Sequence, residues 1–355
     1  MKMPSKLKKE RVISFLRRHE FSISLACFLI FLVLIAIFFG SPIVTEKLQT
    51  CGDGTFYNIC SVAKPYYCAE GSLIEKASVC GCLESTERIG DSCITDLQAE
   101  PKSLALKYIF DGEEKTLNFT VYRGLVSHLS ELSRVISYTN GEKPIRADFI
   151  FKKINEEEQR KLLLPLTIKI QNLAPNDKVE QARIAISLVQ NMQYGFSNKT
   201  ESFFGNKVNY SRYPYEVLYE SKGICGEKSE LLAFLLREMG YGVVLFYNQE
   251  ENHESLGIKC PQEESYKGTG YCFVETTGPS IITDDSIEYV GGITLDSQPE
   301  VIFISDGDSL PEGLQEYRDA ETMKRIRQGR FVLFRDLKLE ALKERYGLVE
   351  EYNLA

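Results

Sequence analysis

Three side chains stand in an order that suits acyl-transfer chemistry. Cys225 lies in Gly223-Ile224-Cys225-Gly226-Glu227, His253 follows 28 residues later, and Glu275 another 22 later. A thiolate attacks carbonyl carbon, an imidazole takes and returns the proton, and a carboxylate orients the ring, so these types in this order suggest a Cys-His-acid triad. Leu231, Leu232, Leu235, Leu236 and Met239 recur at helical spacing after Cys225, and Gly240 supplies a stop. Cys225 is therefore expected at a helix start, reached through a Gly-containing turn. The partial positive charge there favours thiolate over thiol. The apolar run 243–247 predicts a strand just before His253.

Cysteine pairing isolates the nucleophile. Of ten cysteines, Cys27 lies in an apolar run. Cys51, Cys60, Cys68, Cys80, Cys82 and Cys93 crowd into one short stretch and read as a disulfide framework in an oxidising compartment. Their spacing, C-x8-C-x7-C-x11-C-x-C-x10-C, resembles EGF-like modules and leaves the pairing open. Cys260 and Cys272 flank a polar, Gly-rich loop and could bridge the base of a hairpin. Cys225 is then the thiol left over outside the apolar run. A buried core thiol is the ordinary fate of a lone cysteine; the Gly turn, the helix start and the downstream histidine argue for catalysis instead. There are three histidines, His19, His128 and His253. His19 precedes the apolar run and His128 falls in a helix-like segment, 125–136, so His253 is the natural partner.

The elements that must position this trio belong to a chain with an asymmetric charge. Residues 1–20 carry seven Lys or Arg against two Glu, a net of +5, so the remainder carries −13 of the overall −8. An acidic body argues against nucleic acid as a partner. Residues 21–39 form 19 uncharged residues, about 28 Å as a helix, close to a bilayer core. No small-x-small cleavage site follows, so an uncleaved anchor is expected, with 1–20 cytoplasmic, 21–40 spanning and the remainder outside. Sequons at Asn118, Asn198 and Asn209 are compatible with that orientation.

Beyond the span, 51–93 reads as the disulfide module, either a docking module or a stapled spacer. Residues 101–165 read as a small α+β region, with alternating stretches at 105–110, 117–122 and 145–151; 155–163 is a charged linker or an exposed helix. The core is expected over 177–300, opened by a helix after Pro175-Asn176-Asp177. A helical extension, 301–355, has two charged segments around Phe331-Val332-Leu333-Phe334.

At Gly223-Ile224-Cys225, Asn252-His253 and Tyr271-Cys272-Phe273-Val274-Glu275-Thr276-Thr277 the chain resembles the transglutaminase-like superfamily, of the prokaryotic membrane-anchored type, over about a third of its length. The resemblance implies an α+β fold with a papain-like core, the Cys heading a helix packed on a sheet and the His and acid on adjacent antiparallel strands. It implies Cys225 as nucleophile, His253 as base then acid, and Glu275 as the orienting group, where many members have Asp. The aromatic that often follows this His is replaced by Glu254. The oxyanion donors would be the Cys225 N–H and a polar side chain of the preceding helix, with Gln190 the choice and Gln193 and Tyr194 rivals. No metal or cofactor is implied; Asp284-Asp285 and Asp306-Gly307-Asp308 read as ordinary acidic loops.

The function these readings imply is a membrane-anchored thiol hydrolase, a cysteine protease or amidase, acting on protein or peptide substrate outside the cell. Alternatives are a transamidase, an inactive fold that binds peptide or cell-wall polymer, and a receptor that needs a partner. The residues do not set the oligomeric state.

Overall fold

The computed structural model describes residues 49–139, 141–203, 206–286 and 294–349. The described residues belong to one compact unit, Gln49–Ala355. The expected cytoplasmic segment 1–20 and the expected span 21–40 lie outside the described residues. Among the described residues no helix is long and apolar enough to cross a membrane.

The Cys-rich module pairs its cysteines first to third, second to fourth and fifth to sixth: Cys51–Cys68, Cys60–Cys80 and Cys82–Cys93. Its regular structure is slight: hairpin β1 (Tyr66–Ala69) with β2 (Ser72–Glu75), helix α1 (Ala77–Cys80), and hairpin β3 (Glu87–Ile89) with β4 (Ser92–Ile94). So few residues bury little apolar area, and the bridges supply what the core lacks. The module is not a free spacer. Its small core of Tyr66, Cys68 and Leu73 is completed by Ile168 of the adjoining body. The side chain of Asn172 accepts from Leu73 N at 2.9 Å and donates to Leu73 O at 3.0 Å. A Cβ at Gly52 would lie 2.5 Å from the Gln171 carbonyl, so only glycine permits this approach.

Strands β5 (Pro101–Phe110) and β6 (Glu113–Tyr122) form a long antiparallel hairpin. Leu104, Leu106 and Tyr108 on one strand and Leu117, Phe119 and Val121 on the other are buried, the period of two that covers one sheet face. Four helices follow: α2 (Arg123–Glu131), α3 (Arg146–Ile154), α4 (Glu157–Leu173) and α5 (Lys178–Gln190). The stretch 145–151, expected as a strand, is helical instead. Asp148 accepts from Ile145 N at 2.8 Å, which caps the helix start, and Ile150 and Ile154, one turn apart, face the core. Most of the charged segment 155–163 is the start of α4, capped by Glu156, which accepts from Glu158 N and Gln159 N.

The remaining elements frame the site. They are β7 (Gln193–Tyr194), hairpin β8 (Thr200–Phe203) and β9 (Asn206–Asn209), α6 (Pro214–Glu220), β10 (Lys222–Gly223) and α7 (Cys225–Glu238). Then come β11 (Val243–Asn248), β12 (His253–Lys259), β13 (Tyr271–Val274), β14 (Glu300–Ser305), α8 (Gln315–Arg327) and α9 (Arg335–Tyr346). A four-stranded antiparallel sheet runs β13-β12-β11-β14. Residues Leu231 through Leu236 of α7 are all fully buried, so α7 is a central helix, wrapped by the sheet on one side and by α5 and α6 on others. One continuous core takes residues from Leu104 to Tyr317, so the segments 101–165 and 177–300 and the start of 301–355 share it. The architecture is mixed α+β, with a fourth disulfide, Cys260–Cys272, joining β12 and β13 next to the Ile258–Cys272 pairing.

Candidate active site

Cys225 occupies the first position of α7. Glu227, two residues on, anchors the helix start. Its Oε2 accepts from Ile224 N at 3.1 Å and from Arg212 Nη1 at 2.8 Å, and its Oε1 from Arg212 N at 2.7 Å. A carboxylate in the first turn suits the helix dipole, and the buried Arg212 balances its charge. Cys225 is half-buried and is the free thiol among the described residues.

The two strands beside α7 deliver the partners. His253 opens β12 and Glu275 follows the last residue of β13; both are buried. His253 Nε2 lies 2.9 Å from Glu275 Oε2. The Cys225 thiol hydrogen-bonds the same ring. With Nε2 engaged by the carboxylate, Nδ1 is the nitrogen left for sulfur. Burial alone would lower the basicity of His253, but the Glu275 charge and the hydrogen bonds from both sides overcome it, and the ring is pushed up to about 10.

Glu275 is fixed on its other oxygen. Oε1 accepts from Thr276 N at 2.9 Å, Thr277 N at 2.7 Å and Thr277 Oγ1 at 2.6 Å. Burial opposes its charge, yet His253 and the Thr277 donors outweigh burial and hold the carboxyl below its usual range. The extra methylene of Glu over Asp is absorbed by this turn, which grips the carboxylate by its backbone.

Gln190 is at the site but does not face the thiol. Its amide nitrogen lies 2.9 Å from the Glu275 carbonyl and 3.0 Å from Ser280 Oγ, so its donors hold the chain that carries Glu275. Tyr194, its rival, stands closer to the chemistry. β7 pairs in parallel with β10, matching Tyr194 to Gly223, two residues before the nucleophile. Burial, followed by the negative charges of Cys225, Glu275 and Glu227, raises the pKa of its phenol, which stays a neutral donor. Gln193 is exposed at the start of the same short strand.

Lys228 was not legible as part of the site. It is fully buried, three residues after Cys225, and its Nζ lies 2.8 Å from Met192 O, 3.1 Å from Thr277 O and 3.3 Å from Gln190 O. It ties the end of α5 and the Thr277 turn to α7. Burial pulls its ammonium down to about 7, partly offset by Glu275. Thr276 adds a stitch, donating from Oγ1 to Cys225 O at 3.3 Å.

No group of three or more His, Cys, Asp or Glu among the described residues is arranged to hold a metal ion. The acidic loops are spent on ion pairs: Asp284 with Arg327 at 2.6 Å, Asp285 with Lys324 at 2.7 Å, Asp306 with Lys259 at 2.8 Å, and Asp308 with Lys178. A cavity of about 360 Å³ opens beside Cys225, with Ile224 and Gly226 in its wall. A second, of about 280 Å³, lined by Ile186, Gln190, Arg183 and Glu316, touches none of Cys225, His253 and Glu275.

No family model and no curated protein matches the chain. Among solved structures, the chain is similar to calcium-bound LapG of Legionella pneumophila at 15% identity and a TM-score of 0.23, over 51% of this chain and 99% of that one.

Proposed function

We propose that this chain is a thiol-dependent acyl-transfer enzyme of the transglutaminase-like type, acting as a hydrolase on peptide or amide bonds. The observation that carries the reading is the relay Cys225–His253–Glu275, in which one imidazole bridges a thiol and a buried carboxylate 2.9 Å from its Nε2.

With the His253 ring held protonated, the Cys225 sulfur attacks a substrate carbonyl as thiolate. The oxyanion that develops meets the Cys225 N–H at the helix start and the Tyr194 hydroxyl. His253 gives its Nδ1 proton to the departing amine as the C–N bond breaks, leaving a thioester and a free amine. Water then adds to the thioester, losing its proton to His253. The C–S bond breaks, the acid leaves, and the thiolate–imidazolium pair is restored. Glu275 keeps the ring in place and balances its charge throughout, and Gln190 and Lys228 position Glu275.

The four disulfides support a site outside the cytoplasm, where such bridges persist. The proposal places the enzyme there, anchored through 21–39, with an extracytoplasmic protein or peptide as substrate. Labelling by a thiol-reactive amide mimic tests the reading: wild type is labelled at Cys225, and Cys225→Ala is not. Equal labelling of the two proteins would reject it.

A further inference from the structure

The cavity beside the nucleophile has the make-up of a pocket for a long cationic side chain. Its walls include Phe149 and Ile150 of α3 and Ile224, and its acidic side is Glu230 of α7 and Glu254 of β12. Both carboxylates are at least nine-tenths buried. Each spends one oxygen on a cation of α3: Glu230 Oε1 lies 2.5 Å from Lys153 Nζ, and Glu254 Oε2 lies 3.2 Å from Arg146 Nη1. The second oxygen of each, Glu230 Oε2 and Glu254 Oε1, is buried with no hydrogen-bond partner among the described residues. Leaving a buried carboxylate oxygen unpaired is costly, so the arrangement is short of donors.

A Cβ on Gly226 would lie 3.1 Å from Glu254 Oε1, so this oxygen lies against the backbone of the residue next to the nucleophile. The pair also asks for positive charge rather than a neutral donor alone. Burial pushes Glu230 up to about 8 against the pull of Lys153, with Glu254 adding to the rise, and burial likewise raises Glu254 against Lys153 and Arg146. Lys153 and Arg146 thus offset the effect of burial only in part, and either a proton or a ligand cation makes up the difference.

We propose that this cavity is a substrate subsite selecting a side chain with an aliphatic stem and a cationic end, lysine or arginine, whose N–H groups satisfy Glu230 Oε2 and Glu254 Oε1. The stem packs on Phe149, Ile150 and Ile224, and the head replaces the proton the carboxyl pair otherwise holds. This deepens the proposed function and rests on Cys225 being the centre at which substrate is bound.

The test is binding, read in the full chain carrying Cys225→Ala so that turnover does not enter. Fluorescent N-acetyl peptide amides scan each position with lysine or with norleucine, which keeps the stem and removes the charge. At one position the lysine peptide is expected to bind at least tenfold tighter, and Glu254→Gln and Glu230→Gln, each close in volume to the native residue, are expected to cut that ratio below threefold. Equal affinity for lysine and norleucine at every position overturns the subsite, as does a ratio that survives in whichever Gln variant folds. A lysine preference in a protein whose wild type shows no Cys225 labelling overturns the catalytic reading and leaves the subsite standing.

Discussion

Nε2 of His253 and Oε2 of Glu275 are 2.9 Å apart in a buried setting, and the other oxygen of Glu275 is held by three donors from Thr276 and Thr277. The carboxylate is therefore fixed before it meets the ring, and its charge is the main reason the ring is pushed up to about 10 against the effect of burial. Glu275→Gln removes that charge and keeps the shape. The alkaline limb of the hydrolysis pH profile is expected to fall from about 10 toward the ordinary imidazole value of about 6.5, with kcat lowered roughly 10²- to 10⁴-fold. An unmoved limb in Glu275→Gln would contradict this.

The same pair makes a prediction about stability. The folded-state basicity of His253 is raised, so its contribution is complete below its unfolded value of about 6.5 and is lost as pH rises through about 10. Glu275 is depressed, so its contribution is complete above its unfolded value of about 4.3 and is lost as pH falls through its folded value. The Tm gap between wild type and Glu275→Gln should be widest near pH 5 to 6 and should close as pH approaches about 10. Thermal melts across that range check it; a gap that widens with pH runs against the account.

Tyr194 tests the oxyanion assignment. Tyr194→Phe keeps the ring and removes the donor, and a loss of about 10²- to 10³-fold in kcat with KM nearly unchanged is expected. Steady-state kinetics on one peptide substrate decides it. A kcat within threefold of wild type would return the role to another group.

Much of the site could be read from the chain because its parts sit at the ends of strongly patterned elements. Cys225 precedes a run of leucines at helical spacing, His253 follows an apolar strand, and Cys260 and Cys272 bracket a polar loop; these signals are local. What could not be read depends on tertiary partners. Gln190 looked like a donor for the reaction because it lies on the preceding helix, but its amide faces the Glu275 carbonyl and Ser280, contacts 85 and 90 residues away in sequence. Lys228 gave no signal that three distant carbonyls would bury it. The 145–151 stretch alternates like a strand, and only the cap from Asp148 and the core behind Ile150 and Ile154 make it a helix.

Lys228→Met would leave three buried carbonyls without their donor and would remove one of the two cations near Glu275. A loss of about 3 kcal/mol or more is expected from unsatisfied buried acceptors alone. Urea denaturation of the variant measures it, and a change below about 0.5 kcal/mol would mean the ammonium is dispensable there.

Removing Cys260–Cys272 by double substitution to Ala frees a loop of sequence separation 12 between β12 and β13. The loop-entropy relation gives a destabilisation of about 3 kcal/mol. The bridge sits at the far end of the strand pair from His253, so kcat on a peptide substrate should change less than stability does. Denaturation and kinetics on the same variant make the comparison, and a kcat loss with no change in stability would contradict the assigned role.

The proposed chemistry depends on the contact between sulfur and imidazole, and alkylation of Cys225 reads that contact directly. The rate at which iodoacetamide modifies the Cys225 peptide at pH 6, followed by mass spectrometry, should be at least 100-fold higher in wild type than in His253→Ala, because an ordinary thiol is almost wholly protonated there. Equal rates in the two proteins would show that His253 does not activate Cys225 and would remove the basis of the proposed chemistry.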